Sequence, residues 1–322
     1  MSSSALRARR WSHRAVCGAM TIALAAAAGC TGSPDPATTS TTSGAPPGGA
    51  TTATTATPPS APAAPAPDAP IRGDAAWAAD ALTRTDVALD QAVDAWRDDG
   101  DPARGEPPRT VVLLALYQQR VYRFLARHPA LARRTMAKLR RPLAAQVDDN
   151  VTAIRDLLSL TRPVRTPDVV RTQRPLPAGV LLGYFQRAGR RFDVSWQVLA
   201  AVMFVETKFG RVKSSSSAGA QGPMQFLPAT WKAYGLGGDI RDPRDSVLGA
   251  ANYLHASGAP RDYPRAVHAY NPDRRYVDAV LRHARQIRRD PRAFYAYYNW
   301  QVFVVTTRGD VRRSGPPPLS GD

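Results

Sequence analysis

Cysteine is nearly absent from this chain. Cys17 and Cys30 are the only two in 322 residues, which excludes a disulfide-stapled scaffold and leaves the fold to be held by its core. Histidine is sparse as well, with five scattered residues. Without a His-Glu-x-x-His pair or a Cys/His cluster, no metal and no other cofactor is expected. The acidic turn from Gly237 to Arg241 lacks the complete oxygen-ligand loop that calcium requires. Long apolar runs are missing near the start, where Ala15 to Ala28 is too short for a mature membrane span. Acid is in deficit too. Asp and Glu number 26 against 43 Lys and Arg, a net charge of +17, which suits an acidic partner: nucleic acid, a membrane surface or an anionic cell wall.

What the chain does contain begins with an export signature. Arg7, Arg9, Arg10 and Arg14 precede the short apolar stretch, and Ala27-Ala28-Gly29-Cys30 closes it, so residues 1–30 read as a signal peptide. The setting of Cys30 resembles a lipoprotein box, with Ala27 where Leu is usual. That resemblance implies lipidation of Cys30 and a membrane anchor facing the cell wall; the other reading is an ordinary cleaved signal with Cys30 incidental. An exported chain suits nucleic acid poorly, so no specific nucleic-acid partner is expected. Residues 31–73 are almost wholly Thr, Ser, Ala, Pro and Gly. Such a segment buries too little apolar surface to offset the entropy of ordering, and reads as a disordered tether.

Residues 74–165 change character. Apolar side chains recur at helical spacing over Ala75 to Trp96, Val111 to Leu125 and Leu131 to Leu160, which predicts a helical N-terminal region. A Pro-broken connection from Arg162 to Pro177 leads into a second helical unit, residues 178–290. Beyond it lies a C-terminal extension, residues 291–322. Its aromatic cluster, Phe294 to Trp300, either packs onto the domain or stacks on sugar rings. Gln301 to Thr307 has strand composition, with a turn expected at Arg308-Gly309-Asp310, and a Pro/Gly tail follows. The fold class is mainly α with a short C-terminal β element.

Within the second unit one stretch stands out. Val198 to Val205 is unbroken apolar sequence, suited to a helix buried on most sides. Ser195 can cap its start and Gly210 can end it in a left-handed conformation. Leu199, Val202, Met203 and Glu206 follow i, i+3, i+4, i+7, so one carboxyl shares a face with core side chains. Desolvation and the negative end of the helix dipole would both raise its pKa. An acid that stays protonated near neutrality is what cleavage of a glycosidic bond needs. The competing reading is a Glu that turns out to solvent where its helix ends. After a serine-rich loop, Gly219 and Gly222 would let backbone approach a ligand, and Gln225 offers donors and an acceptor to hydroxyl and N-acetyl groups.

Three ordered motifs carry a resemblance. They are Glu206-Thr-x-Phe-Gly210; Ser216-x-x-Gly-Ala-x-Gly-x-Met224-Gln225-Phe-x-Pro-x-Thr-Trp231; and Ala269-Tyr270-Asn271. Together they resemble the soluble lytic transglycosylase family over roughly Leu181 to Ala284. The resemblance implies a goose-type lysozyme-like domain that cleaves peptidoglycan glycan strands, with Glu206 as the catalytic acid and base. It implies that Ser216, Gln225, Tyr270 and Asn271 bind the sugar or its N-acetyl groups, that Met224 and Leu227 form the groove wall, and that the Tyr270 hydroxyl reaches Glu206. Pro272-Asp273 departs from the glycine many relatives carry there, which bears on the groove near Asn271. The expected reaction is cleavage of the MurNAc–GlcNAc β-1,4 bond with closure of a 1,6-anhydro ring. Two alternatives stay open: a hydrolytic muramidase on the same fold, and a non-catalytic wall-binding lipoprotein.

Overall fold

The computed structural model describes residues 64–317. Cys30, the signal segment and most of the tether lie outside the described residues. Residues expected to end the tether are described: Arg120 donates to the Ala69 carbonyl at 2.8 Å and Ile71 packs against the core.

Helix α1 (Ala75–Asp98) begins where Asp74 accepts the Trp77 amide at 2.7 Å, a side-chain cap for an otherwise unsatisfied N–H. Helix α2 (Arg109–Arg127) follows. The stretch read at helical spacing from Leu131 to Leu160 forms two helices, α3 (Pro129–Met136) and α4 (Arg141–Leu160). The cause is Pro142. In a first turn its missing N–H is not needed, whereas in a helix interior it would break a hydrogen bond and clash with the preceding turn.

The second unit opens with α5 (Ala178–Phe192) and α6 (Trp196–Thr207). Every residue of α6 from Val198 to Thr207 is buried, as its unbroken apolar sequence requires. Helices α7 (Pro228–Tyr234), α8 (Pro243–Ala256), α9 (Tyr263–Tyr270) and α10 (Arg274–Arg289) complete it. The Asp242-Pro243 start of α8 forms as expected, with Asp242 accepting the Asp245 amide at 2.9 Å. Asp245 in turn accepts the Asp239 amide at 3.0 Å and so holds the preceding turn.

The C-terminal extension forms α11 (Arg292–Tyr298) and an antiparallel hairpin of β1 (Phe303–Thr306) with β2 (Gly309–Arg312). Its turn falls at Thr307-Arg308, earlier than expected, because Gly309 and Asp310 already pair in β2. The aromatic cluster is buried: Phe294, Tyr297, Tyr298 and Trp300 are all core residues. Tyr297 stacks on Phe204 with ring centroids 4.8 Å apart. Packing, not sugar stacking, accounts for these rings.

The larger hydrophobic cluster runs from α1 to Trp300 and includes α6, and a smaller one joins Val170, Val212, Val302 and Val304. Helix α10 lies between α4 on one side and α6 on the other. Buried polar pairs fasten the outer regions to this centre. Asp149 of α4 accepts from Arg282 of α10 at 2.8 Å and also from Arg285 and Gln286. Gln119 of α2 exchanges hydrogen bonds with the backbone of Gln301 at 2.9 and 2.8 Å, and Arg123 and Arg127 both pair with Asp310. The connection between α4 and α5 is stitched on two sides. Val164 bonds to the hairpin through Val305 and Thr307, and Arg171 and Gln173 bond to the backbone that follows α6.

Candidate active site

The site is built from the way α6 ends. Its last turn is followed by three residues in left-handed conformation: Lys208, Phe209 and Gly210, with φ of 52, 60 and 83°. The helix therefore stops at Thr207, before the glycine expected to end it. Burial explains how two non-glycine residues hold this geometry. Phe209 packs among Phe204, Phe294 and Tyr298. Thr207 Oγ1 donates to the Pro223 carbonyl at 2.6 Å and accepts the Gly210 amide at 2.9 Å. Lys208 folds back, its Nζ donating to the Phe204 carbonyl at 3.0 Å and lying 4.3 Å from the centre of the Phe204 ring. At the other end of α6, Ser195 occupies the cap position but its hydroxyl donates to the Gln197 side chain at 2.6 Å, so the expected side-chain cap does not form.

Glu206 does not turn out to solvent; it is 7% exposed. The Tyr276 hydroxyl donates to its Oε1 at 2.5 Å. Burial pushes the Glu206 pKa up to about 7, with the Tyr276 hydrogen bond and the Lys208 charge pulling the other way. A carboxyl in this state holds a proton near neutrality and releases it readily, the requirement for a group that acts first as acid and then as base. Lys208 is pushed down to about 7 by its own burial, with Arg123 acting in the same sense. On the far side of Phe204 lies His283 of α10, its ring edge-on at 4.8 Å. Burial holds it neutral, its pKa lowered to about 3.

A cavity of about 150 Å³ opens beside Glu206. Tyr276, Asn271 and Lys208 line it from the second unit, while α4, the connection at Val164 and strand β1 supply the opposite wall. Among the described residues lining it, Glu206 is the sole Asp or Glu.

The expected site residues separate into two groups. Glu206 and Asn271 face this cavity, with Asn271 buried and accepting the Asp273 amide at 3.3 Å. Ser216, Met224, Gln225, Leu227 and Tyr270 are not among its lining residues. Ser216 accepts the Ala220 amide at 3.0 Å and closes its own loop. Gln225, left-handed at φ 49°, donates to the Gly222 carbonyl at 2.9 Å. Met224 is buried and Leu227 precedes α7 half-buried. The Tyr270 hydroxyl donates to the Met224 carbonyl at 2.5 Å, so the phenol on Glu206 belongs to Tyr276, not Tyr270. The backbone itself requires a glycine at position 222. A Cβ there would stand 1.8 Å from the Ile240 carbonyl oxygen.

Tyr276 and Lys208 were not anticipated. The signal for Tyr276 was its place with Val280, His283 and Ile287 on the buried face of α10, but nothing in the spacing tied that face to Glu206.

Residues 183–289 match the family model described as Transglycosylase SLT domain, a family of peptidoglycan lytic transglycosylases with a lysozyme-like fold. The matched span runs from within α5 to the end of α10 and contains Glu206, Tyr276 and Asn271. No solved structure gives a significant match to the chain. Over residues 183–289, then, about a third of its length, the chain is similar to the transglycosylase SLT domain.

Proposed function

We propose that this chain cleaves the MurNAc–GlcNAc β-1,4 bond of peptidoglycan and leaves 1,6-anhydromuramic ends, with Glu206 as the single acid and base. One observation carries the proposal: a buried carboxyl with a pKa of about 7, held by one phenol and facing a cavity with no second carboxylate among the described residues lining it. Tyr276 donates to Oε1, which orients the carboxyl and leaves Oε2 to carry the proton. The protonated acid gives that proton to the glycosidic oxygen, and the C1–O bond breaks through an oxocarbenium-like state. The resulting carboxylate then takes the proton of the muramoyl C6 hydroxyl, whose oxygen bonds to C1. Glu206 ends protonated, so the cycle balances without water. A hydrolase of the inverting kind would need a second carboxylate several ångströms across the bond to activate water, and none is among the described residues lining the cavity.

By resemblance to the family, Ser216, Gln225, Tyr270 and Asn271 would contact the strand, with Met224 and Leu227 along the groove. We propose further that the chain works exported and anchored through Cys30, supported by the basic leader and the small residues that precede the cysteine. The positive charge suits an anionic wall.

Product analysis on purified sacculi tests the chemistry. The parent chain should release muropeptides with anhydro ends by mass spectrometry, and Glu206→Gln should release at least ~1,000-fold less. Reducing ends would establish hydrolysis instead. Release undiminished in Glu206→Gln would remove the assignment.

A further inference from the structure

Acid is missing from one long stretch of the folded chain. No Asp or Glu stands between Glu106 and Asp148, while Arg and Lys recur throughout. Arg120, Arg123 and Arg127 of α2 are engaged within the fold. Arg120 donates to the Asp68 and Ala69 carbonyls, and the other two pair with Asp310. Arg133, Arg134, Lys138, Arg140 and Arg141 are not. All five are exposed, and none has an acidic group of a described residue within ion-pair distance.

The apolar positions of the same segment fix it in place. Leu131, Ala132 and Leu143 are buried, and Met136 and Leu139 pack half-buried against the core. The end of α3, the turn and the start of α4 are thereby held to the body, with the five cations left outward. Like charges gathered in this way repel one another, a cost that an anionic partner relieves. The junction lies outside residues 183–289 and none of the five lines the cavity beside Glu206, so the proposed chemistry does not account for them.

Position and shape narrow the partner. The bonds from Arg120 hold the incoming chain against α2. Two turns further on, a rise of roughly 10 Å, α2 ends and α3 begins. The chain that precedes the folded body therefore joins it close to the basic junction. Five cations gathered at one helix–turn–helix junction suit a plane of headgroups better than a linear polyanion, which is followed by a groove. Each basic side chain at an anionic membrane surface tightens binding roughly 5-fold.

We propose that the α3–α4 junction is a docking face for a bilayer containing anionic phospholipid, engaged through Arg133, Arg134, Lys138, Arg140 and Arg141. The choice of a bilayer over a soluble polyanion rests on the anchoring through Cys30 proposed above; the charged face itself does not. A tether alone leaves the folded body free to tumble, and the junction would fix which side meets the membrane.

The chain from residue 31 onward keeps every described residue and carries no lipid. It is sedimented with vesicles of phosphatidylcholine alone, and with vesicles that are about one third phosphatidylglycerol. Binding should require the phosphatidylglycerol and weaken as salt is raised. Arg133→Gln with Arg134→Gln, and separately Arg140→Gln with Arg141→Gln, should each weaken it at least ~10-fold. Arg190→Gln with Arg191→Gln, the same loss of charge on α5, should change it less than ~2-fold. Equal binding to both vesicles, or equal weakening by the α5 pair, would overturn the proposal. So would tighter binding to poly(glycerol phosphate) than to vesicles at the same phosphate concentration, which would assign the face to a wall polymer. Mass spectrometry of the full chain from a membrane fraction reads the anchor separately. Vesicle binding with an unmodified Cys30 would support the docking face and count against the anchor.

Discussion

The α4–α10 seam and the end of α6 each bury a carboxylate, Glu206 the more deeply, and the two acids behave in opposite ways. Surface exposure alone does not separate Asp149 from Glu206, at 7% each. Burial pushes the Asp149 pKa up, but hydrogen bonds from Arg285 and Gln286 and the charge of Arg282 outweigh it and hold the group below the usual carboxylate range. Glu206 has one phenol and one half-buried lysine, and burial wins, raising it to about 7. Protonation is decided by burial set against the number and charge of the donors. One acid is kept charged to join two helices. The other holds its proton up to about neutral pH. Pairs of titratable groups pushed apart in this way mark a division of labour between structure and chemistry.

The largest way to break the comparison is Asp149→Ala. It strands the Arg282, Arg285 and Gln286 donors at the seam and should cost about 3 kcal/mol in urea unfolding at pH 7. Asp149→Asn should cost nearly as much, because the charge is what the arginines meet. The linkage signs differ too. The folded pKa of Asp149 is depressed, so its contribution is present above the unfolded value near 4 and is lost as pH falls through the folded one.

Glu206→Gln should act on stability in the other direction. Its folded pKa is raised from 4.5 to about 7, so the native state binds more protons between those values and loses stability as pH rises through that window. Denaturant unfolding should show the variant more stable than the parent by on the order of 3 kcal/mol at pH 8, with the gap closing at pH 4. A gap that persists at pH 4 would mean that packing, and not titration, separates the two chains.

Smaller changes sharpen the picture of Glu206 itself. Tyr276→Phe removes the hydrogen bond that lowers its pKa, so the alkaline limb of the kcat/KM profile should move up by about 1 unit. Lys208→Met removes the lesser of the two lowering influences and should move the same limb by less, in the same direction. A downward movement in either variant would mean that the group does not stabilise the carboxylate.

Much of this fold could be read locally. The buried α6 was plain from Val198 to Val205, and the starts of α1 and α8 from Asp74 and from Asp242-Pro243, because helix caps and apolar runs act over a few residues. The division of the α3–α4 stretch was also written locally, in Pro142, but the apolar periodicity on either side concealed it. Long-range pairing was not legible in the same way. The partner of Glu206 is 70 residues away along the chain, and both Tyr270 and Tyr276 lie on helices that close over it. Choosing between them requires knowing that the Tyr270 hydroxyl is taken by the Met224 carbonyl. Gly210 drew attention as the natural left-handed residue, while Lys208 and Phe209 took up that conformation first under pressure from surrounding aromatic rings. The wall of the cavity was the least visible feature, because α4 and β1 lie outside the stretch that carries the motifs.

The reciprocal bonds between Gln119 and Gln301 have a consequence for anyone who would transplant this domain. They fasten a helix from before the recognised segment to a loop from after it, and both glutamines line the cavity beside Glu206. Excising residues 183–289, or grafting them into a relative, would carry Glu206 and Tyr276 along but strip α10 of its α4 cover and leave the cavity roofless. The matched segment and the unit that packs around Glu206 are, in this protein, of different lengths.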